Sequence, residues 1–286
     1  MHLADALVEA LGAPLADLRG IAGGDLNDAY AAVLADGSRV FVKTAADAAP
    51  YAYTREAEGL EWLAEPGALP VPDVLAVADD PGAPRFLALA WVDAGRRIPA
   101  TDEQLGRGLA ALHAAGAPEF GGAHDLVLGP LTLPNDPCDD WPSFYLTRRL
   151  EPVARMACDR GALPPGGVGV LDALASRLPE LAGPPEPPAR LHGDLWSGNV
   201  LADVGGRPWL IDPAAYGGHR EIDLAMLRLF GAPAPTFLAA YEECMPLADG
   251  HEERVELWQA LPLLVHAVLF GGSYGTSAVA AMRRYI

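Results

Sequence analysis

Cysteine is scarce in this chain of 286 residues: Cys138, Cys158 and Cys244 are an odd number with no close spacing. That argues against a disulfide framework and a zinc knuckle, and it suits a reducing cytoplasm. Basic residues are few as well, with Lys and Arg totalling 20 against 38 Asp and Glu, a formal net charge of −18. A field of that sign repels a phosphate backbone and an anionic membrane, so neither nucleic acid nor a membrane is expected as a partner, while a local cationic pocket stays compatible with it. Long apolar runs are also missing. The opening MHLADALVEALGAP has no basic leader and is broken by Asp5 and Glu9, which predicts an amphipathic helix rather than a signal peptide. The most apolar late stretch, Leu257 to Phe270, is interrupted by Gln259, Pro262 and His266 and is too short for a bilayer. These absences together predict a soluble, cytoplasmic protein.

What the chain does have is apolar content, 51% of its residues, in 30.0 kDa: enough for one large domain or two lobes with a sizeable core. No internal repeat is visible, and 27 Pro with 31 Gly punctuate the segments. Ala29 to Leu34 and Arg39 to Thr44, separated by Asp36-Gly37-Ser38, predict a β-hairpin ending near Lys43. Tyr53 to Leu63 carries Ala57, Leu60 and Leu63 at helical spacing, and the stretch from Pro66 to Pro72 ends that helix. RFLALAWV, from Arg85 to Val92, predicts a strand, and we place a lobe boundary at its end. Thr101 and Gln104 have the spacing of a capping box before a helix whose face carries Leu105, Leu109 and Leu112. Leu163 to Gly169 and GPPEPP at Gly183 to Pro188 predict loops.

The most informative segment is LHGDLWSGNVLADVGGRPWLIDP, Leu191 to Pro213. It predicts a short loop followed by a hairpin around Gly205-Gly206, with Asp194 and Asn199 in the loop and Asp212 after the second strand. Phosphoryl transfer needs that inventory: a carboxylate to take the acceptor hydroxyl's proton, and an Asn and a second Asp as oxygen ligands for magnesium. His192, Asp194 and Asn199 have the kinase spacing H-x-D-x-x-x-x-N, so His192 is expected to support the loop. A kinase also needs a cation on the nucleotide phosphates and an acid to hold it. Lys43 supplies the cation, and Glu56 or Glu58 on the following helix the acid, with Glu56 preferred. Gly23-Gly24 opens a turn whose backbone N–H groups suit phosphates.

Bland readings stand beside these. Any one of Asp194, Asn199 and Asp212 alone would be an Asx-turn residue; their joint spacing with Lys43 favours chemistry. His113 and His266 read as packed histidines, and Trp62, Trp91 and Trp258 as core.

These residues resemble the fructosamine and ketosamine kinases, small-molecule kinases with a protein-kinase-like fold. The resemblance is carried by HGDLWSGNV (His192 to Val200), IDPAAYGGHREIDLAM (Ile211 to Met226), FVK (Phe41 to Lys43) and HAVLFGGSYG (His266 to Gly275), and it covers nearly the whole chain. It implies a bilobal α+β protein, with a sheet-bearing nucleotide lobe over 1–92 and a mainly helical catalytic and substrate lobe over 93–286. It implies ATP- and Mg2+-dependent phosphorylation of the sugar 3-hydroxyl of a ketosamine, a glycated amine that is free or carried on protein, leading to deglycation. Lys43 and Glu56 then anchor phosphates, Asp194 is catalytic, and Asn199 and Asp212 hold magnesium. Glu221 and Asp223 match too, Asp223 as an anchor for the catalytic-loop backbone. Backbone groups from Ala90 to Val92 are expected at the adenine, and Trp196, Asn135, Asp140, Tyr216 and Tyr274 on the substrate side. Relatives with a redox-sensitive loop carry cysteine where Asp25 stands, so no such switch is expected here. The alternatives are a kinase for another amino-bearing alcohol, such as an aminoglycoside or a choline-like compound, and a non-catalytic nucleotide-binding module.

Overall fold

The computed structural model describes residues 2–22, 27–80 and 82–286; the expectations for Gly23, Gly24 and Asp25 lie outside the described residues. Helix α1 (Leu3–Leu11) leads into strands β1 (Leu15–Ile21), β2 (Asp28–Leu34) and β3 (Arg39–Thr44). Helix α2 (Ala52–Ala64), β4 (Val74–Ala78) and β5 (Phe86–Ala90) follow, and the five strands form one antiparallel sheet in the order β1-β2-β3-β5-β4. The β2–β3 turn is built locally. Asp36 accepts the Ser38 N–H at 2.9 Å and the Ser38 hydroxyl at 2.6 Å, and Gly37 takes a left-handed φ of 87°.

Period-two alternation then sorts β3. Val40 and Val42 point to one face, where they join Ala6 and Leu7 of α1 and Phe86 and Ala88 of β5 in a small core. Phe41 and Lys43 therefore share the other face, beside Leu87 and Leu89, where α2 brings Tyr53, Ala57, Leu60 and Leu63. A one-residue slip would bury Lys43 under α1 instead.

Helix α3 (Pro99–Ala114) begins earlier than its sequence suggested. Ile98 is the N-cap and Pro99 occupies the first turn, so Thr101 sits inside the helix, accepting the Ile98 N–H at 3.0 Å and donating to the Gly206 carbonyl. Strands β6 (Leu126–Leu128) and β7 (Leu131–Leu133) form a small hairpin. Helix α4 (Trp141–Phe144), a π-helical turn (Tyr145–Leu150), α5 (Glu151–Asp159) and α6 (Gly167–Leu181) come next, so α6 takes in the end of the loop expected to reach Gly169. After the Pro-rich connector come β8 (Ala189–Leu191), β9 (Val200–Ala202), β10 (Pro208–Leu210), β11 (Tyr216–Gly218), α7 (Glu221–Leu227), α8 (Pro235–Cys244), α9 (His251–Phe270) and α10 (Tyr274–Arg283).

Two cores hold this helical part. One spans α2, α3 and α8 and reaches Leu195 and Leu210, so it ties the sheet's α2 to the loop that carries Asp194. Close approach of α3 to α8 requires Gly106, where a Cβ would lie 2.2 Å from the Phe237 carbonyl oxygen. The other core is centred on α9, with Trp258 between Trp141, Tyr145 and His219. Among the described residues no helix is long and apolar enough to cross a membrane.

His219 is buried, stacks on Trp258 and uses Nδ1 to accept the Glu221 N–H at 3.3 Å. Burial pushes its imidazole below the ordinary value, against the pull of Glu221 and Glu186. The unfolded chain takes up a proton near about pH 6.5 that the folded chain refuses, so this group withdraws stability as pH falls through that value, by at most about 1.4 kcal/mol per pH unit. Thermal denaturation from about pH 7.5 to about pH 5.5 should show a shallower fall of Tm in His219→Phe than in the parent protein.

Candidate active site

The site is assembled by a strand pair. β8 and β11 run antiparallel with Leu191 opposite Tyr216, which closes residues 192–215 into one unit enclosing the β9–β10 hairpin. Ala214 N–H donates to the His192 carbonyl at 2.9 Å and Ile211 N–H to the Asn199 carbonyl at 3.1 Å, so residues far apart in sequence meet. Gly193 permits this: its φ is 83°, and a Cβ there would lie 1.9 Å from the Ala214 oxygen. Beneath the loop is the fully buried Asp223, on α7. Its Oδ2 accepts the His192 N–H at 2.8 Å and its Oδ1 the Gly193 N–H at 2.9 Å, while His113 Nε2 lies 3.3 Å from Oδ2. His192, also fully buried, donates from Nε2 to the Ile211 carbonyl at 2.9 Å and accepts the Asp194 N–H at Nδ1. Burial holds this imidazole below its ordinary value, which fits a neutral ring doing both jobs.

Three oxygen-bearing side chains converge above that support. Asn199 Nδ2 donates to the Asp194 carbonyl at 2.8 Å and to Asp194 Oδ2 at 3.1 Å, which leaves Asn199 Oδ1 as the group available to a cation. Burial pushes the Asp194 carboxyl up to about 6; the Asn199 amide opposes this and the charge of Asp212 adds to it. Asp212 has a φ of 53°, one of two non-glycine residues in the left-handed region among those described, a conformation kept where the surroundings over-determine it. Its Oδ1 lies 3.0 Å from Lys43 Nζ.

Lys43 also contacts Glu56 of α2, whereas Glu58 turns outward to Arg55 at 2.6 Å. Burial acts against the ammonium, but the Glu56 and Asp212 carboxylates outweigh it and keep the group cationic. Burial likewise pushes the Glu56 carboxyl up to about 7, against the pull of Lys43. Lys43, Glu56, Asp194, Asn199 and Asp212 line a single cavity of about 580 Å3, and Trp196 and Tyr274 line it too. The oxygen donors Asn199 Oδ1 and Asp212 are of the hard type that suits Mg2+, which takes one or two protein ligands and fills its octahedron with phosphate and water.

Other expected residues lie away from this cavity. Asn135 is buried, donates to the His124 carbonyl at 2.9 Å and accepts from Arg149 at 2.7 Å. That guanidinium is clamped between the Phe144 and Tyr216 rings, 4.5 and 4.2 Å from their centroids, and also donates to the Pro134 and Arg148 carbonyls; Asn135 and Tyr216 are among its supports. Both border a second cavity of about 360 Å3, across Pro213 and Ala214 from Asp194. Asp140 caps α4, accepting the Ser143 N–H at 2.8 Å and its hydroxyl at 3.0 Å, and lines neither cavity. The Ala90 N–H is already spent on the Asp73 carbonyl at 2.8 Å, and neither Ala90 nor Val92 lines the Asp194 cavity. Sequence reasoning missed Phe230, Phe270 and Asp47, which line it, and read His266 as packing alone. Only the position of HAVLF within a shared segment hinted at Phe270 and His266.

An aminoglycoside phosphotransferase solved with ADP and hygromycin B matches with a TM-score of 0.70 at 16% identity, covering 100% of this chain and 98% of its own, so the fold is that of the protein-kinase-like phosphotransferases. The family model for fructosamine kinase matches residues 1–286, and the chain belongs to that family. A candidate fructosamine-3-kinase from Thermobifida fusca is 44% identical with a TM-score of 0.90, over 98% of this chain and 97% of its own. The mouse ketosamine-3-kinase is 33% identical, over 87% of this chain and 88% of its own.

Replacing Asp223 by Asn removes the buried charge that gathers two loop N–H groups. Urea denaturation should show a loss of about 2 kcal/mol, and turnover should fall with it, because the loop loses its anchor.

Proposed function

We propose that this protein transfers the γ-phosphoryl group of ATP to the sugar 3-hydroxyl of a small ketosamine, the step that precedes deglycation. The observation that carries the reading is the meeting, in one cavity of a fructosamine kinase family chain, of Asp194, Asn199 and Asp212 with the Lys43–Glu56 pair. Asp194 accepts the hydroxyl proton as the sugar oxygen forms its bond to the γ-phosphorus and the bond to the ADP oxygen breaks. Lys43 neutralises nucleotide phosphate oxygens, and Glu56 keeps its ammonium in place. Asn199 and Asp212 would hold Mg2+, which would offset the charge that develops on the phosphate oxygens. We place the nucleotide between a lobe of residues 1–92 and a lobe of 93–286, in a cytoplasmic enzyme. The strongly acidic surface suits amine-bearing substrates.

The test is magnesium- and ATP-dependent transfer to a fructosamine, a ribulosamine, an aminoglycoside and choline. Transfer should go to a ketosamine. In Asp194→Asn it should drop by roughly 10²–10⁴, with nucleotide affinity within about twofold of the parent, while Asp212→Asn should also weaken magnesium-nucleotide binding. Transfer confined to the aminoglycoside or choline, or near-normal turnover in Asp194→Asn, would overturn the reading.

A further inference from the structure

Resting on the ketosamine reading, we infer that the wall of the cavity facing the Lys43 cluster is a subsite for the amine's substituent, and that it selects adducts of aromatic or apolar amines lacking a carboxylate. The cavity, at about 580 Å3, is larger than a hexose needs and has two chemically distinct sides. Among the described residues, Lys43, Asp47, Glu56, Asp194 and Asp212 account for every charged side chain lining it. The rest of the lining on α7, α9, α10 and the segment after α7 is uncharged.

That uncharged wall is aromatic and open. Trp196, Phe230 and Phe270 are 37%, 46% and 49% exposed, and among the described residues Phe230 and Phe270 are the only phenylalanines that are exposed. Contiguous exposed apolar surface beside a reactive centre marks a binding surface. The rings are continuous: Trp196 meets Phe230 edge-on at 6.0 Å, Phe230 lies 5.1 Å from His266, and His266 lies 5.5 Å from Phe270 and 5.1 Å from Tyr274. The His266 ring is fixed by a 2.6 Å hydrogen bond from Nδ1 to the Pro262 carbonyl. Trp196 is fixed by Gly198, where a Cβ would lie 2.2 Å from the indole Cη2, so the indole lies against a backbone with no side chain. The platform is therefore held in place, and Trp196 links it to Asp194 two residues away.

Charge completes the argument. Among the described residues Lys43 is the only cation lining the cavity, and it is already engaged by Glu56 and Asp212, so a carboxylate on the amine would find no free cation there and would face Asp47, Asp194 and Asp212. The secondary ammonium of a ketosamine meets the opposite situation, with acids on one side and aromatic faces on the other.

The experiment compares kcat/KM for the fructose adducts of benzylamine, methylamine and glycine. The benzylamine adduct should exceed the methylamine adduct about tenfold, and the glycine adduct should fall below it by about the same factor. Phe230→Ala and Phe270→Ala, at positions too exposed to endanger folding, should each reduce the benzylamine-to-methylamine ratio by roughly fivefold or more. Equal values for the three adducts, a preference for the glycine adduct, or an unchanged ratio in both variants would overturn the inference while leaving the kinase reading intact. Transfer to none of the three would overturn the ketosamine reading and this inference with it.

Discussion

A buried ammonium shared by two carboxylates is the constraint on which the rest depends. Lys43 comes from the central strand of the sheet, Glu56 from the helix after it and Asp212 from a loop more than half a chain away. Each contribution fixes something: the β3 register sets which face Lys43 occupies, the phase of α2 sets which glutamate turns inward, and the β9–β10 hairpin delivers Asp212. An ion taken out of water is destabilising unless its partners are correctly placed, so the triad favours one relative placement of sheet, α2 and hairpin over alternatives that part them.

Around that triad the acidic residues divide by environment. Asp223 and Glu221, two residues apart on α7, are structural: one gathers loop N–H groups, the other binds Arg254 and the Trp258 indole. Asp194 and Asp212 are left partly open to the cavity, where the proposed proton and metal work would fall to them. A strongly acidic chain thus spends some carboxylates on rigidity and leaves others open to a cavity. The backbone strain at Asp212 sits where that distinction matters most.

Much of this was legible in the sequence because the signals are local. The β2–β3 hairpin follows from Asp36-Gly37, whose side-chain and left-handed geometry need no distant partner. The choice of Glu56 over Glu58 is one of helical phase, and the H-x-D-x-x-x-x-N spacing fixes the loop's hydrogen bonds from within. What the sequence left unspecified depended on facing. Asn135 and Asp140 stand in a recognisable segment, but the segment's spacing does not say which side of the hairpin meets the cavity, and a buried arginine claims one while a helix end claims the other. Thr101 was misplaced because Pro99 starts the helix sooner than the polar pattern does. The aromatic wall left no periodic trace, since its members come from four separate segments.

Lys43 is the single lysine of the sequence, among 20 basic residues of which all the others are arginine, and it is 5% exposed. Reducing sugars condense with amines, and a guanidinium held protonated at neutral pH is a poor nucleophile for that first step. The chain therefore presents no side-chain ammonium on its surface from which a Schiff base could begin. Its one such group is kept protonated between two carboxylates and out of reach of solvent. An enzyme that works among glycated amines is, by composition and by burial, almost without the functional group that would let it become one.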